Sequence, residues 1–276
     1  MSSSTSDADK VTLTTRGKIA IITLNIPDKL NALTQDLYFR LSTLLRQVAT
    51  LDDIYVTVLT GTGRYFSAGA DVSLPRIPEK DTPPRQHWLR TFAAHNLEIT
   101  HAFYTHPKIL ITALNGPAVG LSAALIASSD FIYCAPHAFL LTPFTSLGLV
   151  GEGGATKAFV DRLGISKANE ALIMSRRITA EEMRAVGFVN EIVGTGRKGE
   201  EGEFLEEVLR IVRDRLGNHL NADSALEMKK LIRRPEREMM GGQTVAEVMC
   251  GLDRFVKGVP QEEFRKLASG EKKHKL

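Results

Sequence analysis

The feature that most constrains the fold is a pattern that occurs twice, an apolar strand followed at once by a loop of small residues. Residues 54–59 are rich in β-branched side chains and lead through Gly61 into the small-residue loop 66–71. Ile109–Leu114 leads in the same way into the turn 115–120, after which an Ala-rich apolar helix begins. This alternation predicts an α/β domain whose site lies at the carboxyl ends of the strands.

The rest of the chain extends this pattern and then becomes helical. Ile19–Leu24 predicts a buried strand, and the apolar spacing from Leu33 to Val48 predicts a helix capped by Thr34. Four prolines between residues 75 and 84 indicate a long irregular segment before a predicted helix at 86–104. A further strand is predicted near 131–133, helices are predicted over 157–163, 167–174, 180–186, 204–216, 224–232 and 245–255, and 194–202 has the composition of a linker.

Composition and charge limit the function classes. The 276 residues are 43% hydrophobic and 24% charged, as in a globular protein, and the net charge of +3 does not indicate a nucleic-acid partner. No apolar run is long enough for a membrane span. Cys134 and Cys250 are far apart and match no metal-ligand spacing, so no metal site is predicted. We expect a flexible N-terminal tail at 1–15, a core at 16–200, a helical region at 201–268 and a basic tail at 269–276.

The end of the chain carries a candidate targeting signal. His274, Lys275 and Leu276 resemble the S-K-L peroxisomal address, with histidine in place of the usual serine. The alternative is a solvated basic tail. If the signal is real, it predicts that an import receptor binds the chain through Lys275 and Leu276 and delivers it to the peroxisomal matrix.

Two backbone segments are candidate anion sites. Amide N–H groups at the start of a helix, or in a turn of small residues, lack an intrahelical partner and can point at an anion. The loop 67–71 and the turn 118–121 are two such segments, and converging N–H groups would stabilise a developing enolate by about 3–4 kcal/mol per donor. The alternative is that both are tight turns whose glycines only satisfy backbone geometry.

Glu152 is the candidate base. It is flanked by Gly151, Gly153 and Gly154, and its nearest cation along the chain is Lys157. A carboxylate in such surroundings tends to have a raised pKa, as a base that works near neutral pH requires. The alternative is an N-cap or first-turn acid for a helix that begins near residue 155.

Other candidates are weaker. The segment 120–124 is a near miss to the G-x-S-x-G nucleophile motif, so a triad of Ser122, His137 and Asp130 is disfavoured. The histidines between residues 87 and 106 place no pair on one helical face for a metal. Cys134 lies in an apolar strand and is expected to be buried and inert.

Four short sequence segments occur in a fixed order, and they are ITLNIP (22–27) with NAL (31–33), FSAGAD (66–71), NGPAVG (115–120) and LGL (147–149). In these segments the residues from about 18 to 193 resemble the crotonase (enoyl-CoA hydratase/isomerase) superfamily. The resemblance implies a spiral of ββα units, a helical C-terminal region that mediates trimers or dimers of trimers, and acyl-CoA thioester substrates with no separate cofactor.

The same resemblance assigns roles to residues. It implies an oxyanion hole formed by the backbone N–H groups of Ala70 and Leu121. It also implies that the CoA lies in the loop Ala68, Gly69, Ala70, Asp71 and Val72, near Lys29 and Leu30, and that Leu121 and Phe144 contact the acyl chain.

Departures from the family pattern indicate the reaction. The two positions that carry glutamates in the family's hydratases are Ala124 and Phe144 here, whereas Glu152 resembles the single base of the peroxisomal Δ3,Δ2-enoyl-CoA isomerases. The resemblance therefore implies that Glu152 moves a proton from C2 to C4 in the β-oxidation of unsaturated fatty acids. Alternatives are a dienoyl-CoA isomerase, a hydratase, or a non-catalytic CoA- or RNA-binding relative. The low charge argues against RNA, and the presence of Glu152 argues against a non-catalytic role.

Overall fold

A six-stranded sheet forms the centre of the protein, whose computed structural model describes residues 6–71, 81–194 and 201–272. Its strand order is β1-β2-β3-β4-β6-β9, with β1 antiparallel to β2 and every other neighbouring pair parallel. A smaller sheet has the order β5-β7-β8. The strands are β1 (Val11–Arg16), β2 (Ile19–Leu24), β3 (Val56–Gly61), β4 (Ile109–Leu114), β5 (Ala118–Val119), β6 (Phe131–Cys134), β7 (Phe139–Leu141), β8 (Ile178–Thr179) and β9 (Glu191–Ile192).

Helices cover both faces of the large sheet. They are α1 (Asp7–Lys10), α2 (Gln35–Ala49), α3 (Pro84–Trp88), α4 (Ala94–Tyr104), α5 (Gly120–Ile126), α6 (Ala155–Leu172), α7 (Ala180–Ala185), α8 (Glu201–Arg215), α9 (Ala222–Val256) and α10 (Val259–Ala268). Alternate strand residues such as Ile22 and Leu59 pack against α2 and α5. The intervening Ile21 and Val58 pack against α8 on the other face. Burial on both faces explains why the inner strands are almost continuously apolar.

The N-terminal boundary of the core is a correction to the sequence prediction. The sequence predicts a flexible tail at residues 1–15, but this range contains α1 and all of β1 except Arg16. β1 pairs along its whole length with β2, and Val11 opposite Leu24 is fully buried. The threonine-rich sequence of β1 suits an edge strand with one wet face, so it lacks the apolar run that identifies an inner strand.

Three helical segments differ from their predicted forms. The segment predicted at 86–104 contains a π-helical stretch, Leu89–Ala93, between α3 and α4. The predicted helices 157–163 and 167–174 form one element, α6, which bends where Gly164 has a φ of 72°. The predicted helices 224–232 and 245–255 are parts of the 35-residue α9, which continues through Pro235.

A buried ionic cluster holds α9 on the sheet. Asp130, which precedes β6, accepts from Lys229 Nζ at 2.7 Å and from Arg233 Nε at 3.1 Å. Lys229 also donates to the backbone oxygen of Lys108 at 2.6 Å, and it is only 8% exposed. The C-terminal helical region is thus bound tightly to the α/β core. None of the helices in the described ranges combines the length and the apolar character needed to cross a membrane.

Candidate active site

Two backbone segments lie side by side at the carboxyl ends of β3 and β4. Val119 N donates to Ser67 O at 2.9 Å, and Ser67 forms a parallel bridge with Ala118. Gly69 has a φ of 84°, and a Cβ at this position would lie 2.7 Å from the carbonyl oxygen of Val119. Only glycine allows this close approach. Convergence of the two segments depends on their lying side by side, and the structure brings the segments into contact.

One amide of the loop, that of Ala70, remains available. Ala68 N donates to Leu30 O at 2.8 Å, Gly69 N to Ser67 Oγ at 3.1 Å, and Asp71 N to Leu33 O at 2.9 Å. Within the described part of the chain, the N–H of Ala70 has no hydrogen-bond partner. The pairing of its neighbours fixes the loop and leaves this donor for a ligand.

The second amide belongs to the first turn of α5. Leu121 is the second residue of this helix, and the N-cap residue Val119 provides no side-chain hydrogen bond. The N–H groups of a first helical turn have no intrahelical acceptor. Because a Cβ on Gly69 would lie 2.7 Å from Val119 O and 3.7 Å from Gly120 Cα, the segments that carry the amides of Ala70 and Leu121 approach closely. An oxyanion hole requires this proximity of the two segments, and the role of the two amides stays a prediction.

Glu152 lies beside the same turn. Its neighbour Gly153 packs on α5, where an added Cβ would lie 2.9 Å from both Leu121 Cδ1 and Ala124 Cβ. The Glu152 carboxylate is half-buried, and Oε2 accepts from Asn96 Nδ2 of α4 at 3.0 Å. An amide donor favours the charged form of a carboxylate. Asn96 is therefore a functional candidate that the sequence analysis missed, because α4 is remote from Glu152 along the chain.

A different acid serves the start of α6. Glu247 of α9 accepts from Gly154 N at 2.8 Å and from Thr156 N at 2.7 Å, and it is 5% exposed. Burial raises the pKa of the Glu247 carboxyl, while the hydrogen bonds from Thr156 and Gly154 lower it. The capping role considered for Glu152 is thus carried out by Glu247. In the sequence, the one indication of this role is the position of Glu247, three residues after Thr244 and four before Gly251, on the buried face of α9.

Apolar side chains occupy the two positions, 124 and 144, at which the resemblance predicts the hydratase acids. Ala124 is fully buried, Phe144 is 3% exposed and Leu147 is 9% exposed. Such residues exclude water from their surroundings, and an apolar environment strengthens the interaction of a carboxylate with its remaining partners.

The predicted CoA-binding residues lie together at the edge of this region. Lys29 Nζ is 3.1 Å from Asp71 Oδ2, and the lysine side chain is 61% exposed while that of Asp71 is 7% exposed. Leu30 has a φ of 53° and accepts from Ala68, which joins this turn to the loop. Val72 lies outside the described residues. CoA binding by this set stays a prediction.

The disfavoured alternatives find no support in the geometry. Ser122 Oγ contacts Tyr38 and Ser67 rather than histidine, and His137 is exposed. Asp130 is occupied by the cations of α9. Burial raises the pKa of the Cys134 thiol to about 12, which makes it inert. In the ranges that the structure describes, no cluster of three His, Cys, Asp or Glu side chains could hold a metal ion.

Comparison with known proteins defines the class. The model of the enoyl-CoA hydratase/isomerase family matches residues 14–256, more than half of the chain. The chain therefore belongs to the enoyl-CoA hydratase/isomerase family, and the predicted superfamily is confirmed.

Individual proteins of known name are similar to this chain over nearly its whole length. The chain is 56% identical to a Delta(3,5)-Delta(2,4)-dienoyl-CoA isomerase of Pyricularia oryzae, over 95% of this chain and 97% of the relative. It is 34% identical to a 3,2-trans-enoyl-CoA isomerase of Saccharomyces cerevisiae, over 97% of each chain. A crystal structure of an enoyl-CoA hydratase/isomerase from Pseudoalteromonas atlantica has the same fold, with a TM-score of 0.82, 23% identity, and coverage of 97% of this chain and 100% of that one.

Proposed function

We propose that this protein isomerises the double bond of enoyl-CoA thioesters, converting 3-enoyl-CoA to 2-trans-enoyl-CoA. The observation that carries the proposal is the position of Glu152 next to Gly153, which packs on Leu121 and Ala124 of α5. In addition, the buried residues Ala124 and Phe144 stand where the family's hydratases carry their acids. Hydration needs a second group to activate water, whereas a double-bond shift needs one base that can later return the proton.

The proposed mechanism is a 1,3-proton shift. Glu152 removes a proton from C2, the C2–H electrons form a dienolate, and the thioester oxygen accepts hydrogen bonds from the N–H groups of Ala70 and Leu121. Glu152 then delivers the proton to C4, so that the C3–C4 double bond is lost and a C2–C3 double bond is formed. C2 and C4 are separated by a single carbon, which lets one carboxylate serve both ends. Asn96 holds the carboxylate during the transfer.

A second candidate is the shift of a 3,5-diene to a 2,4-diene. It is favoured by the 56% identity to the Pyricularia oryzae dienoyl-CoA isomerase. That reaction begins with the same proton removal at C2 but ends with protonation at C6, which is separated from C2 by three carbons. Glu152 would have to reach farther, or a second acid would have to supply the last proton.

We also propose homo-oligomerisation and peroxisomal import. Large apolar side chains of α9 are exposed in the single chain, and an interface between copies would cover them. They include Leu231 at 63%, Ile232 at 67% and Met239 at 58% exposure. The family resemblance implies trimers or dimers of trimers, so light scattering should give a mass of three or six chains, and the mass of a single chain would contradict this proposal. The targeting tripeptide lies outside the described residues, and its removal should leave activity intact while the protein moves to the cytosol.

The test of the activity compares three reactions on one sample. Purified protein is given 3-hexenoyl-CoA, 3,5-octadienoyl-CoA and 2-hexenoyl-CoA, and double-bond shift and hydration are followed separately. The proposal predicts the highest kcat/KM for 3-hexenoyl-CoA and negligible hydration. A higher kcat/KM for the diene would establish the second candidate, and rapid hydration would contradict both.

A further inference from the structure

Three buried hydroxyl groups form a hydrogen-bonded chain behind the two amide donors. Tyr38 Oη lies 3.0 Å from Ser122 Oγ, and Ser122 Oγ lies 2.9 Å from Ser67 Oγ. Ser67 is fully buried, Ser122 is 4% exposed and Tyr38 is 5% exposed. The proposed proton transfer uses none of these hydroxyls directly.

The direction of each hydrogen bond follows because every hydroxyl group has only one proton to donate. Ser67 Oγ donates to Asn31 O at 2.8 Å and accepts from Gly69 N at 3.1 Å. A serine hydroxyl has a single proton, so Ser67 must accept from Ser122. Ser122 thus donates its only proton to Ser67, and Tyr38 must donate to Ser122. The O–H donors thus all point from α2 through α5 to the backbone at Asn31.

This series of hydroxyl groups connects the two backbone segments that carry the amides of the predicted oxyanion hole. Ser122 directly follows Leu121, whose N–H is one donor. Ser67 lies three residues before Ala70, and its hydroxyl binds Gly69 N, the amide that precedes the other donor. The Ser67–Ser122 hydrogen bond therefore joins the segment that carries the Ala70 amide to the segment that carries the Leu121 amide, and both serines are buried.

We propose that Ser67 and Ser122 are positioning residues whose mutual hydrogen bond sets the spacing of the Ala70 and Leu121 amides. The inference rests on the proposed function, which gives these amides their role. Neither serine contacts the substrate, because both hydroxyls are buried within the protein. An oxyanion is stabilised only where both donors are correctly placed, and a shift of about 1 Å can cost about a hundredfold in rate.

The competing explanation is that the pair only stabilises the fold, and the chain offers a matched control for it. Thr112 Oγ1 of β4 lies 2.7 Å from Ser129 Oγ, and both residues are fully buried. Thr112→Val and Ser122→Ala each remove one hydroxyl from a buried hydroxyl pair. A purely structural role predicts that the two variants behave alike.

The experiment measures turnover and a spectroscopic signature together. The first readout is kcat and KM for 3-hexenoyl-CoA. The second is the enolate fraction of bound acetoacetyl-CoA, whose enolate absorbs in the near ultraviolet and forms by loss of its C2 proton. Thermal unfolding reports on stability. Ser122→Cys, which keeps a side chain of similar size but is a poor hydrogen-bonding group, replaces Ser122→Ala if the latter does not fold.

The inference predicts that Ser122→Ala lowers kcat by about tenfold with KM within about twofold, and raises the apparent pKa of the bound probe by about one pH unit. Thr112→Val should lose a similar amount of thermal stability and leave both readouts unchanged. Wild-type values for the serine variants, or equal losses for Thr112→Val, would overturn the inference. If the wild type ionises the probe but isomerises no enoyl-CoA, the proposed function fails, while a weaker enolate signal in Ser122→Ala still supports this inference.

Discussion

At the scale of single residues, a neighbouring amide holds the carboxylate of Glu152. Asn96 of α4 donates to Oε2 at 3.0 Å from a position that is 4% exposed. This hydrogen bond fixes the orientation of Oε2. A base that moves a proton between two carbons must be held in one position, so Asn96 supports the proposed transfer.

Asn96→Ala tests this contribution. Loss of the donor removes a hydrogen bond that orients the Glu152 carboxylate, so kcat/KM for 3-hexenoyl-CoA should fall by about tenfold. Asn190→Ala is the control, since Asn190 Oδ1 accepts from Ile132 N of β6, and it should keep the wild-type kcat/KM. Equal kcat/KM values for Asn96→Ala and wild type would show that Asn96 does not hold the base.

At the scale of elements, a C-terminal helix contacts the loop that carries the proposed base. Glu247 of α9 accepts from Gly154 N and Thr156 N, and both belong to the start of α6 directly after Glu152. The loop is thus held by α5 on one side, through Gly153, and by α9 on the other. The helical region contributes to the site as well as to the surface.

Glu247→Gln should weaken this contact. The amide group brings an N–H₂ to a place where two backbone N–H groups need acceptors, so the free energy of unfolding should fall by about 1–3 kcal/mol. The kcat should fall as well, because the loop that carries Glu152 loses its support. Urea unfolding and steady-state kinetics give the two values. Glu182→Gln is the control, because it alters the capping box of α7 and should destabilise the protein with an unchanged kcat. If Glu247→Gln also keeps the wild-type kcat, Glu247 does not support the base.

The elements that the sequence predicted well are those with strong local signals. β2 and β4 have their predicted bounds, and α2 begins at Gln35 after Thr34, whose hydroxyl accepts from Leu37 N at 3.2 Å. The strand predicted at 54–59 corresponds to β3, which lies at Val56–Gly61. The prediction starts two residues early because Ile54 is as apolar as the residues of β3. The contacts of Asn96 and Glu247 could not be predicted, because they join segments that are 56 and about 90 residues apart.

At the scale of the whole molecule, a buried histidine couples stability to pH. His106 follows α4, is 2% exposed, and its Nε2 lies 2.8 Å from Thr57 Oγ1 of β3. Burial, and then the nearby charge of Lys229, lowers the pKa of His106 to about 3. The histidine is therefore neutral in the folded protein over the physiological range. It titrates near its ordinary value, about 6.5, only after unfolding.

This difference makes acid unfolding predictable. Between pH 6.5 and about 3 the unfolded chain binds a proton that the folded protein does not, so stability falls as pH falls, by up to about 1.4 kcal/mol per pH unit. In His106→Gln, which retains a group able to bond Thr57, this contribution should be absent. Urea unfolding at a series of pH values measures both slopes. Equal slopes for the two proteins would show that another group governs the acid sensitivity.

The most direct test of the account is the turnover of 3-hexenoyl-CoA by Glu152→Gln, an isosteric variant that retains an acceptor for Asn96. If Glu152 is the base, kcat should fall by at least about a hundredfold, because the amide cannot accept the C2 proton. The dissociation constant for CoA should stay close to that of the wild type. A variant that binds CoA and keeps a kcat near the wild-type value would contradict the assignment of Glu152 as the base.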